Sequence, residues 1–311
     1  MQQNSRILII GHNDSLENSL WNYFSSLKFP HVYTNTKNRL DVLSQTKVQK
    51  FFKDARPEYV FLGSVRSGGI AVNQKYPAEF IYENLEAQNN IIHTAWQSKV
   101  KKLVYFGASC IYPKLAKQPI KETSLLQGQM ELTSEPYSVA KLAGLKLCQT
   151  YRRQHGLDAI AIVPATLYGP ESDTDLQTAH VMGALMAKFH RAISEHKTKV
   201  EVWGTGKVRR EFLYVDDFVQ GVLFLMKHYH LEEPINLGTG IDITIKQLAK
   251  LVAKVSGFNG KIVFDVSKPE GSMRKLLDSS RVRKLGWKPR IDLEAGINKT
   301  YQWYQDRKGR V

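Results

Sequence analysis

The chain has 311 residues, 42% of them hydrophobic, which is enough for one large core or for two unequal lobes that share an interface. Two cysteines exclude a disulfide framework, no Cys/His spacing predicts a metal site, and no apolar run reaches the length of a membrane-spanning helix. The formal net charge of +15 favours an anionic ligand such as a dinucleotide or a sugar diphosphate, whereas the scattered placement of the basic residues argues against nucleic acid.

Short apolar runs alternate with amphipathic stretches from the start of the chain. The first run, residues 7–10, is too short for a signal peptide and is typical of a buried strand, so we expect a cytoplasmic protein. The predicted order is strand 6–10, helix 16–27, strand 59–62, helix 80–97, strand 102–106, helix 137–151 and strand 159–163. This alternation, with continuously apolar strands, predicts an α/β fold whose doubly wound, Rossmann-like parallel sheet occupies residues 1–165.

The pattern after residue 165 is less regular. The predicted elements are helix 178–194, strand 200–203, helix 215–227, strand 235–237, helix 245–255, strand 261–264 and helix 293–304. No repeat or low-complexity linker separates the two halves. We therefore expect a smaller C-terminal substrate lobe over residues 166–311, with some segments interleaved, and a cleft at the carboxyl ends of the strands.

One pair of side chains on a predicted helix has the spacing of a catalytic couple. Tyr137 and Lys141 are four residues apart and so share one face of the helix. A nearby ammonium favours the phenolate, which makes Tyr137 a candidate general acid/base for a carbonyl or alcohol, and Lys141 can also bind a cofactor ribose. The spacing alone also fits an ordinary surface pair, but Pro136 is suited to a helix start and a strand ends shortly before, at Gly107.

Longer motifs surround this pair. They are Gly68-Gly-Ile, Tyr76-Pro-Ala-Glu-Phe-Ile-Tyr-Glu-Asn-Leu85, Ser109-Cys-Ile-Tyr-Pro-Lys114, Glu135-Pro-Tyr-Ser-Val-Ala-Lys141, Leu167-Tyr-Gly-Pro170, Trp203-Gly-Thr-Gly206, Arg209-Arg-Glu-Phe-Leu-Tyr-Val-Asp-Asp217, Ile235-Asn-Leu-Gly-Thr-Gly240 and Arg274-Lys-Leu-Leu-Asp278. Through them the chain resembles, over nearly its whole length, the extended short-chain dehydrogenase/reductases. The SCIYPK, RREF and RKLLD runs are similar to the GDP-L-fucose synthase branch of that superfamily.

The resemblance implies an enzyme that epimerises C3 and C5 beside the C4 ketone of a GDP-linked 4-keto sugar and then reduces the ketone with NADPH. The acid/base cysteine and histidine of the family fall on Cys110 and His180, beside the catalytic pair Tyr137 and Lys141. From the residues alone, Cys110 is a small core residue and His180 a helix-surface histidine. Cys148 lies in a helical pattern and is typical of a buried thiol. A thiolate at Cys110 requires neighbouring cations.

A GDP-sugar needs cations for its diphosphate. Arg210 matches a substrate-binding arginine of the family, and a guanidinium can hold a phosphate through two hydrogen bonds. Lys188 falls where the family often has arginine, so it keeps the charge but loses the planar fork. The resemblance also assigns Trp203, Arg274 and Lys275 to the substrate, although each basic residue taken singly fits a solvated surface charge.

The phosphate-binding loop departs from the family pattern Gly-x-x-Gly-x-x-Gly. Only Gly11 remains, because Asp14 and Glu17 replace the other two glycines and add bulk and negative charge where a pyrophosphate should bind. The two carboxylates also fit a helix capping box, which would occupy the N–H donors that the pyrophosphate needs. We therefore expect poor dinucleotide affinity, although NADP(H) is the cofactor that the resemblance implies.

Two further changes fall on groups that serve hydride transfer. Ala108 replaces the family's carbonyl-polarising serine, and the adjacent Ser109 is a doubtful substitute because neighbouring strand residues point to opposite faces. Thr166 stands where the family usually has an asparagine near the nicotinamide. In the other direction, Thr36 and Lys37 keep part of the polar, basic stretch that would meet the 2′-phosphate of NADP.

The sequence leaves three functions open. The chain has the full epimerase–reductase activity of its family, or it is an epimerase that has lost the reductase half, or it is a non-catalytic binding or partner subunit of the same fold. The changes are concentrated at residues that take part in hydride transfer, and this favours the second function, an epimerase without the reductase half. The resemblance also implies a homodimer through helices 80–97 and 137–151, although Trp96 suits an intramolecular core equally well.

Overall fold

A computed structural model describes residues 1–12 and 15–308 of the chain. The strands over these residues are β1 Ile7–Ile10, β2 Val32–Thr34, β3 Tyr59–Leu62, β4 Lys102–Phe106, β5 Ala159–Pro164, β6 Thr166–Tyr168, β7 Lys199–Trp203, β8 Arg209–Tyr214, β9 Ile235–Leu237, β10 Asp242–Thr244, β11 Lys261–Asp265 and β12 Arg274–Lys275.

The α-helices over the same residues are α1 Ser15–Ser26, α2 Gln45–Ala55, α3 Ile70–Lys75, α4 Pro77–Gln97, α5 Glu135–His155, α6 Val181–Ser194, α7 Val215–His228, α8 Ile245–Ser256, α9 Ser280–Lys284 and α10 Leu293–Lys308. Short 3-10 turns occupy Ser109–Ile111, Glu122–Ser124 and Leu132–Ser134.

Six parallel strands form the main sheet in the order β2-β1-β3-β4-β5-β9. The side chains of β1, β4 and β5 are buried along the whole of each strand, which is why these segments are apolar without alternation. The predicted doubly wound fold is confirmed. The chain leaves β1 to one side to form β2 and returns to the other side to form β3, so the crevice at the carboxyl ends of β1 and β3 is the expected ligand position.

Two smaller sheets lie in the later part of the chain. β8 pairs with β10 in the antiparallel direction and with β6 and β12 in the parallel direction, while β7 and β11 form a separate parallel pair. Buried side chains of α6, α8, β7 and β8 pack together in a second hydrophobic core. The buried residues of this core all lie within residues 166–311, where the substrate lobe is expected.

The chain passes between the two cores more than once. Phe218 and Val222 of α7 pack in the core of the main sheet, and so do Ile235 and Leu237 of β9, which is the edge strand beside β5. A division of the chain at residue 165 stays a prediction. No helix among the described residues is both long enough and apolar enough to cross a membrane.

Close packing of α5 against the sheet fixes the helix that carries Tyr137 and Lys141. The Tyr105 hydroxyl shares its one proton between two acceptors, Gln88 Oε1 at 2.9 Å and the Lys141 carbonyl oxygen at 3.0 Å. A β-carbon placed on Gly144 would lie 2.4 Å from the Tyr105 hydroxyl and 2.3 Å from Gln88 Oε1. Glycine at this position therefore lets the buried polar pair reach the helix backbone.

Replacing Gly144 by alanine is expected to lower the free energy of unfolding by about 1–3 kcal/mol, since the added methyl overpacks a buried contact. Urea denaturation measures the change. Gly128→Ala is the matched control, because a β-carbon there would lie no closer than 3.3 Å to a neighbour, the Pro113 side chain. An equal loss in the two variants would contradict the packing argument.

Candidate active site

The predicted catalytic pair lies at the carboxyl end of β3. Tyr137 is in the first turn of α5, and its hydroxyl is 2.8 Å from the Ser64 hydroxyl, two residues beyond β3. The ring of Phe80 packs edge-to-face on the Tyr137 ring, with centroids 6.1 Å apart. The phenol oxygen is therefore presented at the edge of the sheet where a doubly wound fold binds its ligands.

Lys141 lies one helical turn further on and is 1% exposed. Its Nζ is 3.4 Å from the Gly63 carbonyl oxygen and 4.3 Å from the centre of the Tyr105 ring. A buried ammonium needs such partners, because an unpaired buried charge is strongly destabilising. The structure thus brings Tyr137 and Lys141 together against consecutive residues of one loop, Gly63 and Ser64.

Cys110 lies in the 3-10 turn that follows β4 and is 9% exposed. Its electrostatic neighbour is Lys275 of β12. Burial lowers the pKa of the Lys275 ammonium, and Arg210 lowers it further, whereas Cys110 and Glu131 act in the opposite direction. A basic side chain is therefore present near Cys110, and it comes from the other sheet.

Arg210 and Lys275 are opposite each other in the register of β8 and β12. The Arg210 guanidinium donates to the carbonyls of Ser272 at 2.7 Å, Arg209 at 2.8 Å and Glu270 at 3.2 Å. Burial lowers the pKa of Arg210 to about 10, so the side chain stays cationic at neutral pH. These bonds fix the Arg210 guanidinium, and the register places Lys275 beside it, so two basic side chains lie together.

Arg274 is directed elsewhere. Its Nε donates to Asp242 Oδ2 at 2.5 Å, and Arg209 bonds the same carboxylate at 2.9 Å. Successive strand residues point to opposite faces, so Arg274 and Lys275 separate at β12. The structure therefore groups Lys275 with Arg210 and groups Arg274 with Asp242; a substrate role for each stays a prediction.

His180 precedes α6, which begins at Val181 and not at the predicted residue 178. The histidine is exposed at the N-cap position, with extended backbone, so it is not on the surface of a helix as its sequence context suggests. The segment before it is tied to the loop after β3, because the Gly69 N–H donates to the Thr178 carbonyl at 2.9 Å. The loop that carries Ser64 therefore also contacts the segment that leads to His180.

Lys188 and Trp203 form a second pair, on α6 and at the end of β7. Lys188 Nζ donates to the Glu201 carbonyl at 2.9 Å and lies 5.6 Å from the centre of the Trp203 ring. Burial lowers the pKa of Lys188. Lys268 Nζ lies 5.9 Å from the same ring, which is 40% exposed. An exposed indole flanked by two ammonium groups can stack on a base and attract phosphate.

The carboxyl end of β1 is filled by the chain itself. Glu17, in the first turn of α1, is fully buried, and a β-carbon placed on Gly11 would lie 2.5 Å from the Glu17 β-carbon and 3.0 Å from its Oε2. The Thr36 hydroxyl donates to Glu17 Oε1. The carboxylate therefore lies against the one glycine that the phosphate loop retains.

Two further side chains bond across this crevice. The Asn35 side chain accepts from the Gly11 N–H at 2.9 Å and donates to the Gly11 carbonyl at 3.1 Å, while His12 Nδ1 is 2.6 Å from the Val65 carbonyl oxygen. Lys37, expected to face a 2′-phosphate, is exposed, and its Nζ lies 3.8 Å from the centre of the Trp21 ring.

A pyrophosphate does not fit against Gly11 in this arrangement. The dianion would meet the Glu17 carboxylate at the position where the backbone has to approach it, and like charges at short range repel. The predicted capping role of Asp14 lies outside the described residues. A dinucleotide can bind here only after Glu17 moves away from Gly11.

Three groups at this edge of the sheet, Ser64, His12 and Asn35, were not predicted from the sequence. Each follows a strand of the main sheet by one or two residues, and that position was the available signal. Strand alternation also does not set the direction of Ser109, because β4 ends at Phe106 and residues 109–111 form a 3-10 turn.

Comparison with known proteins agrees with this fold. Residues 5–238 match the NAD dependent epimerase/dehydratase family, and the chain belongs to that family. It is 46% identical to the probable GDP-L-fucose synthase 1 of Oryza sativa subsp. japonica, over 96% of this chain and 92% of the relative. It is 43% identical to the GDP-L-fucose synthase of Escherichia coli strain K12, over 98% of each chain.

A solved structure is similar along the whole chain. The GDP-mannoheptose C4 reductase of Campylobacter jejuni, with NADP bound, is 40% identical and has a TM-score of 0.90, covering 98% of this chain and 99% of that one. The similarity therefore extends through both hydrophobic cores.

Proposed function

We propose that the protein acts on a GDP-linked 4-keto sugar as a C3/C5 epimerase and C4 reductase, with NADP(H) as the hydride source. The observation that carries the proposal is the placement of Tyr137 and Lys141 at the carboxyl end of β3 in a chain that is 43–46% identical to GDP-L-fucose synthases. The solved C4 reductase with NADP bound supports the cofactor.

Epimerisation beside a ketone is proton chemistry that the chain's own residues can perform. One of Cys110 and His180 removes the proton from the carbon next to C4, and the electron pair of the broken C–H bond forms an enolate on the C4 oxygen. The Tyr137 hydroxyl donates a hydrogen bond to that oxygen, where negative charge develops. The other acid/base group returns a proton to the opposite face of the carbon.

Lys275 lies near Cys110 and places a basic side chain next to the proposed acid/base thiol. Because Arg210 and Lys275 lie opposite each other, the same cations attract the GDP diphosphate next to the reacting sugar. The exposed Trp203 ring between Lys188 and Lys268 is a suitable platform for the base.

Replacing Lys275 by methionine is expected to raise the dissociation constant for GDP about tenfold, since it removes one buried cation from the pair. Isothermal titration calorimetry with GDP measures this change. Arg274→Met is the comparison, because Arg274 bonds Asp242 on the other side of β12, and its effect is expected to be smaller. A larger effect from Arg274→Met would show that the assigned pair is wrong.

A second candidate function is epimerisation without reduction. The observation that favours it is the buried Glu17 carboxylate against Gly11, together with an alanine at position 108. Proton exchange at C3 and C5 transfers no hydride, so an obstructed dinucleotide site leaves it intact.

One experiment separates these functions. A GDP-linked 4-keto-6-deoxyhexose is incubated with the protein in D₂O, with and without NADPH. Deuterium at C3 and C5 together with NADPH consumption is the expected result. Label without consumption establishes the second candidate, and neither label nor consumption would contradict both and leave a binding or partner subunit.

We also propose a cytoplasmic homodimer that associates through α4 and α5. Tyr82 of α4 is 62% exposed and Val139 of α5 is 40% exposed, so apolar side chains of both helices face solvent. Trp96 instead stacks on His155 of the same chain, with ring centroids 4.3 Å apart. Sedimentation equilibrium tests the proposal, and a monomer at micromolar concentration would refute it.

A further inference from the structure

We propose that the Ser64 hydroxyl is the positioning group for Tyr137, holding the phenol oxygen at the carboxyl end of β3 and stabilising it when it carries negative charge. The role in turnover rests on the proposed function, whereas the contact does not. Ser64 Oγ and the Tyr137 hydroxyl oxygen are 2.8 Å apart, within the normal range for a hydrogen bond between hydroxyls.

The elements on both sides of this contact are fixed. β3 lies between β1 and β4 in the main sheet, and Val60 to Leu62 are fully buried, so the residues that follow have little freedom. On the other side, the Gln88 side chain donates to the Ala140 carbonyl at 2.8 Å and holds α5. The hydrogen bond therefore joins two rigid supports.

Two adjacent residues of the loop, Gly63 and Ser64, contact two residues of α5 that are one helical turn apart. The Gly63 carbonyl faces Lys141 Nζ at 3.4 Å, and the Ser64 hydroxyl faces Tyr137. The loop contributes a backbone carbonyl to the Lys141 contact and a side chain only to the Tyr137 contact. A substitution at position 64 therefore tests the Tyr137 contact and leaves the backbone carbonyl next to Lys141 in place.

The chemistry of a hydroxyl suits this position. A serine hydroxyl both donates and accepts, so it can accept from the neutral phenol and donate to the phenolate. A hydrogen bond to an ionised acceptor is roughly twice as strong as one between neutral groups. Ser64 thus stabilises the ionised state of Tyr137 most. The position two residues before Cys110 is alanine, so its side chain has no hydroxyl to offer.

The first test needs no substrate. The absorbance of tyrosinate is titrated against pH in the wild-type protein and in Tyr137→Phe, and the difference isolates Tyr137. In Ser64→Ala the pH at which Tyr137 ionises is expected to rise by about one unit, as loss of a hydrogen bond to a charged group predicts. Ser64→Thr, which keeps a hydroxyl, is expected to return toward the wild-type value.

An unchanged titration in folded Ser64→Ala overturns the proposal. If circular dichroism shows that this variant is unfolded, Ser64→Gly replaces it with the same expectation, and an unchanged titration there is equally decisive. The buried Tyr214 and Tyr229 do not interfere, because burial raises the pKa of each to about 12.

The second test measures the role in turnover. The rate of deuterium exchange at C3 and C5 is measured as a function of pH. One limb of this pH–rate profile should be absent in Tyr137→Phe and therefore report Tyr137. In Ser64→Ala we expect that limb to shift by as many pH units as the Tyr137 titration shifts. A limb that stays in place contradicts a role in turnover. Absence of exchange in the wild-type protein refutes the proposed function instead, while the titration still decides the contact.

Discussion

Replacing Cys110 by serine is expected to lower the rate of deuterium exchange at C3 and C5 at least a hundredfold, because general acid/base groups contribute on the order of 10²–10⁴-fold. A serine hydroxyl occupies nearly the same space as the thiol but is a much weaker acid, so the change removes the acid/base group and keeps the packing. The measurement is NMR of a GDP-linked 4-keto sugar in D₂O without NADPH.

The chain contains a matched control for this substitution. Cys148 lies on α5, is 2% exposed, and burial raises the pKa of its thiol to about 12, so it stays protonated at neutral pH. Cys148→Ser should leave the exchange rate within about twofold, although placing a hydroxyl in the core costs some stability. An exchange rate that is unaffected by Cys110→Ser would refute the assigned role.

The second large effect concerns the cofactor loop. Glu17→Gly is expected to lower the dissociation constant for NADPH at least tenfold, because it removes both the carboxylate and the side chain that fill the space against Gly11. The measurement is a calorimetric titration with NADPH at moderate salt, which screens nonspecific attraction to the net charge of +15.

Glu17→Gln separates charge from volume in this titration. It keeps the length of the side chain and removes the negative charge. If only Glu17→Gly binds NADPH more tightly, the volume of the side chain is the obstacle. If Glu17→Gly and Glu17→Gln gain the same affinity, the negative charge is the obstacle. If neither variant binds NADPH more tightly than the wild-type protein, the position of Glu17 does not limit the affinity, and the second candidate function loses its main support.

β1, β3, β4 and β5 of the main sheet could be predicted from the sequence because each has a run of apolar residues. β2 was not predicted, since it has only three residues and ends in Thr34. β3 and β4 have the predicted bounds, since burial on both faces makes Tyr59 to Leu62 and Leu103 to Phe106 continuously apolar. β8 begins with Arg209 and Arg210, and β12 is only two residues long, so neither has an apolar signature. Their pairing depends on tertiary contacts that local patterns do not contain.

The same contrast holds at the site. The spacing of Tyr137 and Lys141 is a property of one helix, and the sequence predicts it directly. The grouping of Arg210 with Lys275 required a register between β8 and β12, and the contact between Ser64 and Tyr137 joins residues 73 positions apart. The obstruction at Gly11 was predictable because Gly11 and Glu17 are only six residues apart in the chain.

The loop after β3 contacts two separate parts of the candidate site. Ser64 contacts Tyr137, and Gly69, five residues later, bonds the backbone of Thr178 just before His180. An insertion or deletion between them would change the position of Tyr137 relative to His180, the two groups that we propose act on the same sugar. This stretch should therefore tolerate replacement of individual side chains better than any change in its length, and homologues that differ in length here are poor guides to substrate choice in this protein.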